Sequence, residues 1–407
     1  MRFEFFIARR MLNTRENPFS GSFIRIAVIS VALGVMMMIL SDAILIGFQT
    51  AIRDKIAGFA GHIRITPFSG NDSWEQEPLM DYAEWMDSVR ITPPVVHVQG
   101  IATKAGIIKT GEQLEGVVLK GIGPDFYWDW FNDQLIEGEA FAVCDTAKTS
   151  SALLISSVLS KRLNLHPGDD VPVYFVNDSH TRARKFTVAG VYETGLVEFD
   201  KLYALCDIRH IRRLNNWDKA AIAGVEVFSS DFNTIEELNS RLYAIIPYDL
   251  DSRTIRDLYP QMFDWLALQD TNVIVILLLM VIVAGITMIA TLLILILERT
   301  RMIGVLKAMG ATSKSVRNIF ILNAVRIIGS GLLWGNAIAL SLVLLQHYTG
   351  VITLPQESYY VNTVPVAFSV GHILLINVGT IFVCSAMLLI PSGIIARIHP
   401  VQSIRIE

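Results

Sequence analysis

Charge is scarce in this sequence. Asp, Glu, Lys and Arg make up 18% of its 407 residues, where soluble domains carry about 25%. With 52% hydrophobic residues and a mean hydropathy of +0.46, that shortfall excludes an ordinary soluble domain and points to a membrane protein. Cysteine is nearly absent too. Cys144, Cys206 and Cys384 form no CxxC and no metal-ligand spacing, which excludes a disulfide scaffold and a thiolate metal site. Cys144 and Cys206 fall in one region and read either as a disulfide, if that region is extracytoplasmic, or as two thiols. Cys384 lies in an apolar run and reads as a packing residue.

Catalytic patterns are missing as well. His62, His97, His166, His180 and His210 show neither HxxxH nor HExxH spacing, no GxSxG occurs, and the plentiful acids read as a solvated surface. A nucleotide-binding loop is also lacking: Gly310-Ala-Thr-Ser-Lys314-Ser315 has no Gly before its Lys and no soluble strand ahead of it. If ATP drives this protein, the ATPase is a separate polypeptide, and this chain is expected to be no enzyme and to carry no metal or cofactor.

Apolar runs dominate what is present. A helix needs about 20 apolar residues to cross a bilayer, and four runs qualify: 23–48, 271–297, 319–345 and 368–396. The first starts too late and runs too long for a cleaved signal peptide, so it reads as an uncleaved anchor. The third carries Asn323, Arg326 and Asn336, and Pro391 interrupts the fourth.

Positive charge orients the spans. Residues 1–25 hold Arg2, Arg9, Arg10, Arg15 and Arg25 against two Glu; the 298–318 link holds Arg299, Arg301, Lys307, Lys314 and Arg317 against Glu298 alone. The tail, 397–407, has Arg397 and Arg405, whereas the 346–367 link has no Lys or Arg. Both termini and the 298–318 link are therefore expected in the cytoplasm. The long segment between the first two spans, 49–270, is expected outside; residues 50–270 hold 32 Asp and Glu against 21 Lys and Arg. The expected fold is an integral membrane protein of four helices in a 1+3 arrangement, with a large extracytoplasmic α+β domain between the first and second helices. In that domain Leu114–Lys120 and Lys185–Tyr192 read as strands. Ile155–Leu165, with Ser156 or Ser157 as cap, and Thr234–Ile246, capped by Thr234, read as helices.

The most informative stretch is Glu298–Met309, ERTRMIGVLKAM. Ile303, Leu306 and Met309, with Met302, share one helical face, and Arg299, Arg301 and Lys307 occupy the others. Gly310 is placed to end the helix, and a new one is expected to start at Thr312 or Ser313. A short surface helix with an apolar ridge suits docking in a partner's groove; the alternative is an ordinary positive loop. Residues 1–22 are expected to begin with an interfacial helix, with Phe3, Phe6, Ile7 and Arg10 on one side. Asp42, a carboxylate inside the first span, is a functional candidate because burying it in lipid is costly.

These residues resemble the FtsX/MacB type of ABC transporter permease (type VII, mechanotransmission), with the lipoprotein-releasing LolC/LolE branch the nearest. Ile7-Ala-Arg-Arg10, Gly34-Val, Ile46-Gly47-Phe48, Gln261–Leu266 with Leu268-Gln-Asp270, Glu298–Ala311, Ser358-Tyr-Tyr-Val361, Val364-Pro365-Val366, Pro400 and Ile404–Glu407 carry the resemblance by their order and spacing. The resemblance implies that Glu298, Arg299, Met302, Ile303, Gly304, Leu306, Lys307, Met309 and Gly310 contact a cytoplasmic ATPase, present in two copies and binding ATP and Mg. It implies a second permease, alike or different, across a central cavity. Met37, Leu40, Asp42, Ile44, Phe48, Phe263 and Met280 are the positions expected to line that cavity. The implied activity is extraction of lipoproteins from the bacterial inner membrane to a periplasmic carrier. The alternatives are an FtsX-like transmitter that activates a cell-wall hydrolase, and a MacB-like exporter of peptides or amphiphiles. One departure stands out: Pro172–Ala183 is a short connection that leaves little room for the projecting hook by which LolC recruits its carrier.

Overall fold

The computed structural model describes residues 4–7, 18–68, 77–80, 82–111, 113–144, 148–177 and 180–388. Phe3, Arg10, Pro391, Pro400 and the 397–407 tail lie outside them. The chain forms two compact units: one of residues 1–49, 265–353 and 363–407, the other of residues 50–264 and 354–362.

Among the described residues of the first unit, four helices are long and apolar enough to cross a membrane: α1 (Pro18–Ala60), α6 (Pro260–Glu298), α8 (Ser313–Thr349) and α10 (Val370–Met387); the short helix α9 (Gln356–Tyr359) lies between the last two in sequence. Intrahelical hydrogen bonds satisfy every backbone group along such runs, which lipid cannot do. Pro260 stands at the first position of α6, where its missing N–H costs nothing. α1 has 43 residues, well beyond the 26 expected from composition. At 1.5 Å per residue it is about 65 Å long, twice the hydrocarbon thickness, and its residues from Thr50 onward belong to the second unit.

Small residues set the helix spacing. A Cβ on Gly331 would sit 2.7 Å from the Val31 Cβ, and one on Gly335 would sit 2.8 Å from the Ala32 carbonyl oxygen. This Gly-x-x-x-Gly pair therefore brings α8 directly against the α1 backbone. Polar side chains add direction. Asn336 on α8 and Asn377 on α10 exchange amide hydrogen bonds of 2.7 and 3.0 Å, and Ser30 on α1 donates to Thr287 on α6 at 3.3 Å.

The second unit is built on a ten-stranded mixed sheet. Its strands are β1 (Ile63–Pro67), β2 (Val95–Thr110), β3 (Gln113–Ile122), β4 (Leu135–Gly138), β5 (Ala152–Ser156), β6 (Asp170–Asn177), β7 (His180–Tyr192), β8 (Tyr203–Asp207), β9 (Gly224–Ser229) and β10 (Leu250–Thr254). The order is β10-β1-β9-β2-β3-β8-β5-β7-β4, with β6 paired to β2 and β7. The β3–β8 and β5–β7 pairs are parallel and the rest antiparallel. Helices α2 (Ala83–Arg90), α3 (Ser157–Leu163), α4 (Ile208–Leu214) and α5 (Ile235–Tyr243) bury their apolar faces in the core.

Several expectations change here. Ile155 belongs to β5, and the helix starts only at Ser157, with the Ser156 hydroxyl accepting from the Leu159 N–H at 3.1 Å. The apolar run Ala152–Ile155 forms a fully buried strand, which periodicity alone does not separate from a helix start. The second helix is Ile235–Tyr243, and Thr234 makes no side-chain cap; Asp231 instead caps the 3₁₀ turn before it. No disulfide joins Cys144 to Cys206: Cys206 is buried in β8, where burial pushes its thiol up, while Cys144 is exposed. Most of Pro172–Ala183 is paired strand, in register up to Asn177 opposite His180.

Candidate functional site: an elbow, a clasp and a buried charge

The elbow lies in the first unit, between α6 and α8. α6 ends at Glu298, Arg299 is the N-cap residue, and α7 (Thr300–Ala308) follows. Glu298 is therefore the exposed last residue of α6, not the start of the surface helix. Gly310, at φ +96°, ends α7, its N–H donating to the Lys307 carbonyl at 3.0 Å and that of Ala311 to the Leu306 carbonyl at 2.9 Å. Thr312 then caps α8 by accepting from the Ser315 N–H at 3.2 Å.

The apolar ridge points the other way from the expectation. Ile303 is fully buried and Gly304 buried, and Leu306 packs against the membrane-helix core of its own chain. Only Met309, 80% exposed, leaves the ridge for solvent. The outward face is Arg301, Val305, Ala308 and Met309, spaced i, i+4, i+7 and i+8. Met302 and Lys307 are half-buried at its sides. Amphipathic spacing identifies a face but not its partner, and here the strongest apolar face is claimed by the chain itself.

Within α1, at residues 42–47, lies a clasp. Gly47 packs on the 363–369 segment so closely that a Cβ would fall 2.4 Å from the Pro365 oxygen. The Ala367 N–H donates to the Ala43 carbonyl at 3.0 Å, and Asp42 pairs with His372 Nδ1 of α10 at 3.0 Å. The motifs around Gly47 and Pro365, which are distant in sequence, thus meet. Asp42 is buried and partnered by His372.

Of the other positions expected to line a cavity, Met37 and Ile44 are exposed, on one stripe of α1 with Ile26, Ile29 and Leu33. Leu40 and Met280 are half-buried, Met280 against the helix core. Phe48 packs on Trp265, ring centroids 5.9 Å apart. Phe263 belongs to the second unit and stacks on Phe232 at 5.9 Å.

The second unit holds the end of α1 with a buried charge. Lys120, 2% exposed, extends from β3 and donates to the Phe59 carbonyl at 2.5 Å and to both Glu226 oxygens at 2.9 Å. Phe59 is the next-to-last residue of α1, so the ammonium caps a helix C-terminus, where orphan carbonyls and the helix dipole favour a cation. Glu226 of β9 also accepts from Gln99 of β2 at 2.7 Å and from Arg64 of β1 at 3.3 Å. Burial pushes the Lys120 ammonium down, and the Glu226 carboxylate opposes that. Phe199 and Tyr203 pack on the Phe59 ring at 4.9 and 5.2 Å. The 354–362 segment adds a tie: Lys55 of α1 donates to the Tyr360 carbonyl at 2.7 Å, and the Tyr360 hydroxyl to Glu198 at 2.9 Å. Lone Lys, Glu and Tyr residues in strands and loops read as surface, so no sequence signal marked this hub.

His62, just past α1, makes the joint acid-sensitive. Its Nδ1 accepts from the Ser229 N–H at 3.1 Å, and burial lowers its pKa from 6.5 to about 4. The unfolded chain takes up the proton first as pH falls, so stability declines from about pH 6.5 and levels off near pH 4, a total loss on the order of 3 kcal/mol. Melting of the intact protein across that range reads the slope, and His62→Asn, which keeps an acceptor, should flatten it.

Comparison with known families fits this layout. The "FtsX-like permease C-terminal" model matches residues 274–400, and the "MacB-like periplasmic core domain" model matches residues 26–245. The chain belongs to the FtsX/MacB family of ABC transporter permeases, membrane proteins with an extracytoplasmic MacB-like domain that are not themselves enzymes. Among named relatives, the lipoprotein-releasing system transmembrane protein LolC of Neisseria meningitidis serogroup B is 24% identical over 428 residues, 99% of each chain. LolC of Xylella fastidiosa strain Temecula1 is 22% identical over 412 residues, 97% of this chain and 96% of that one. LolE of Haemophilus influenzae is 19% identical over 421 residues, 98% of each.

Proposed function

We propose that this permease sits in a bacterial inner membrane with both termini and α7 in the cytoplasm and its sheet unit in the periplasm. There it couples ATP hydrolysis by two copies of a separate ABC ATPase, which bind the ATP and Mg, to extraction of lipoproteins, working with a second permease copy or paralogue. A periplasmic carrier would receive the product. The full-length similarity to LolC and LolE supports the substrate class. The observation that carries the coupling is the elbow: α7 presents Arg301, Val305, Ala308 and Met309 outward while Ile303 anchors it to the membrane helices. Force applied to that face reaches α6 and α8 through a packed contact instead of a slack loop. Because β6 and β7 pair through most of the 172–183 connection, carrier recruitment would use a surface other than a projecting hook.

Purification from native membranes tests this reading. An ATPase should copurify with acylated lipoproteins; an ATPase with a cell-wall hydrolase and no lipoprotein would replace it with the transmitter alternative. Val305→Asp and Met309→Asp should each lower ATPase recovery about tenfold, the cost of a lost interface anchor. Membrane insertion should be unchanged. Equal recovery in both variants would remove α7 as the ATPase contact.

A further inference from the structure

The second unit contains a cleft of about 1100 Å³ between α2 and α4. Its floor includes Met86, Ile208 and Ile222, with Tyr82 and Trp217 also lining it. Glycine keeps that floor low: a Cβ on Gly100 would meet the Ile222 side chain at 3.0 Å.

The walls carry six cations, Arg90, Lys148, Arg209, Arg212, Arg213 and Lys219, against two acids, Asp87 and Asp125. Both acids are engaged: Asp87 pairs with Arg90 at 3.4 Å, and Asp125 accepts from the Gly100 N–H at 2.8 Å. Asp207 neutralises Arg209 at 2.6 Å. Among the described residues six cations face these three acids, in a region whose 32 acids otherwise outnumber its 21 bases. The arginines are also held in place. Arg212 donates to the Ala221 carbonyl at 2.6 Å, and Arg213 donates to the Thr149 hydroxyl at 2.6 Å, so less side-chain entropy is lost when a ligand arrives. Arg213, Lys148 and Lys219 are exposed.

The geometry points to a docking site for an acidic, partly apolar peptide segment of a partner protein. Clustered cations against a net-negative surround steer an anionic partner and reject a basic one. The volume exceeds the roughly 300–1,000 Å³ of small-molecule sites, and the apolar and aromatic lining gives side chains between the acids somewhere to bury. Neither property suits a lone phosphate. The inference rests on the cleft alone and stands whether the permease moves lipoproteins or transmits a signal.

The test uses the full chain in lipid nanodiscs and a fluorescein-labelled octapeptide alternating Glu and Leu, with a Gln/Leu peptide as control. The Glu peptide should bind about tenfold tighter than the control and weaken as salt shortens the Debye length. Arg213→Glu with Lys219→Glu, both at exposed positions, should cost a further tenfold or so; Lys148→Glu alone should cost less. Unchanged melting of the variants separates lost binding from lost folding. Equal binding of the two peptides, or no effect of the charge reversals, overturns the proposal. So does displacement of the peptide by inorganic phosphate at matched ionic strength, which would make the cleft a simple oxyanion site. The ATPase pull-down can fail without touching this result.

Discussion

Glu226→Ala should destabilise the sheet unit by about 3–5 kcal/mol, the usual cost of leaving a buried charge without its partner. Lys120 is 2% exposed and, among the described residues, keeps the Phe59 carbonyl and the face of the Phe59 ring, 4.8 Å from its Nζ, once the carboxylate is gone. Arg64 and Gln99 lose an acceptor at the same time. Replacing Lys120 and Glu226 together by Met and Leu should recover much of the loss, because well-packed apolar residues often substitute for a buried pair without penalty. The double variant should nevertheless leave the Phe59 carbonyl uncapped. Denaturant melting of the full-length protein, with limited proteolysis of the sheet unit, measures each step. A Glu226→Ala protein within 1 kcal/mol or so of wild type would mean that Lys120 finds water or another acceptor.

Gly47→Val should have a comparable effect by a different route. Its Cβ would lie 2.4 Å from the Pro365 oxygen, 2.6 Å from the Pro365 carbonyl carbon and 2.7 Å from the Val366 Cα. All three are backbone atoms, so no side-chain rotation relieves the clash. The 363–367 segment must leave α1, which breaks the Ala43–Ala367 hydrogen bond and loosens Asp42 from His372. Overpacking costs about 1–3 kcal/mol at well-filled sites, and the lost contacts add to it. A cysteine pair at 43 and 367 should crosslink in the parent protein and fail to do so with Val at 47. Gly329 is the control: nothing lies within 4 Å of its Cβ, so Gly329→Ala should be neutral or slightly stabilising through helix propensity. Retention of the crosslink in the Gly47→Val protein would show that the clasp is looser than its contacts suggest.

The large features were legible because they are long and repetitive. Runs of apolar residues announce helices whatever packs on them, and Gly310 followed by Thr312 marks one helix ending and the next beginning. What escaped reading depends on contacts between distant residues. Asp42 was visible as an anomaly, but its partner His372 lies 330 positions away. Lys120 stands two residues before the end of β3, as a lone charge in a strand, and only the fold places it under the end of α1. The elbow shows most clearly where spacing stops and packing begins. Spacing showed that Ile303, Leu306 and Met309 share a face, yet only packing decides that Ile303 turns inward and Met309 outward. The β5–α3 boundary was missed because a buried strand and the buried start of a helix have the same composition.

The reciprocal amide pair of Asn336 and Asn377 bears on how the chain enters a membrane. α8 is the most polar of the long helices, with Asn323, Arg326 and Asn336 in one span. On its own it makes a poor substrate for lateral release from a translocon, since each uncancelled polar group in lipid is costly. Asn377 supplies both a donor and an acceptor to Asn336, and it is synthesised 41 residues later. The two helices therefore favour entering lipid as a preformed hairpin, with α8 waiting at the exit site until α10 emerges. Asn377→Leu should then show itself first during biogenesis, as α8 left unintegrated, before any step of a transport cycle is reached.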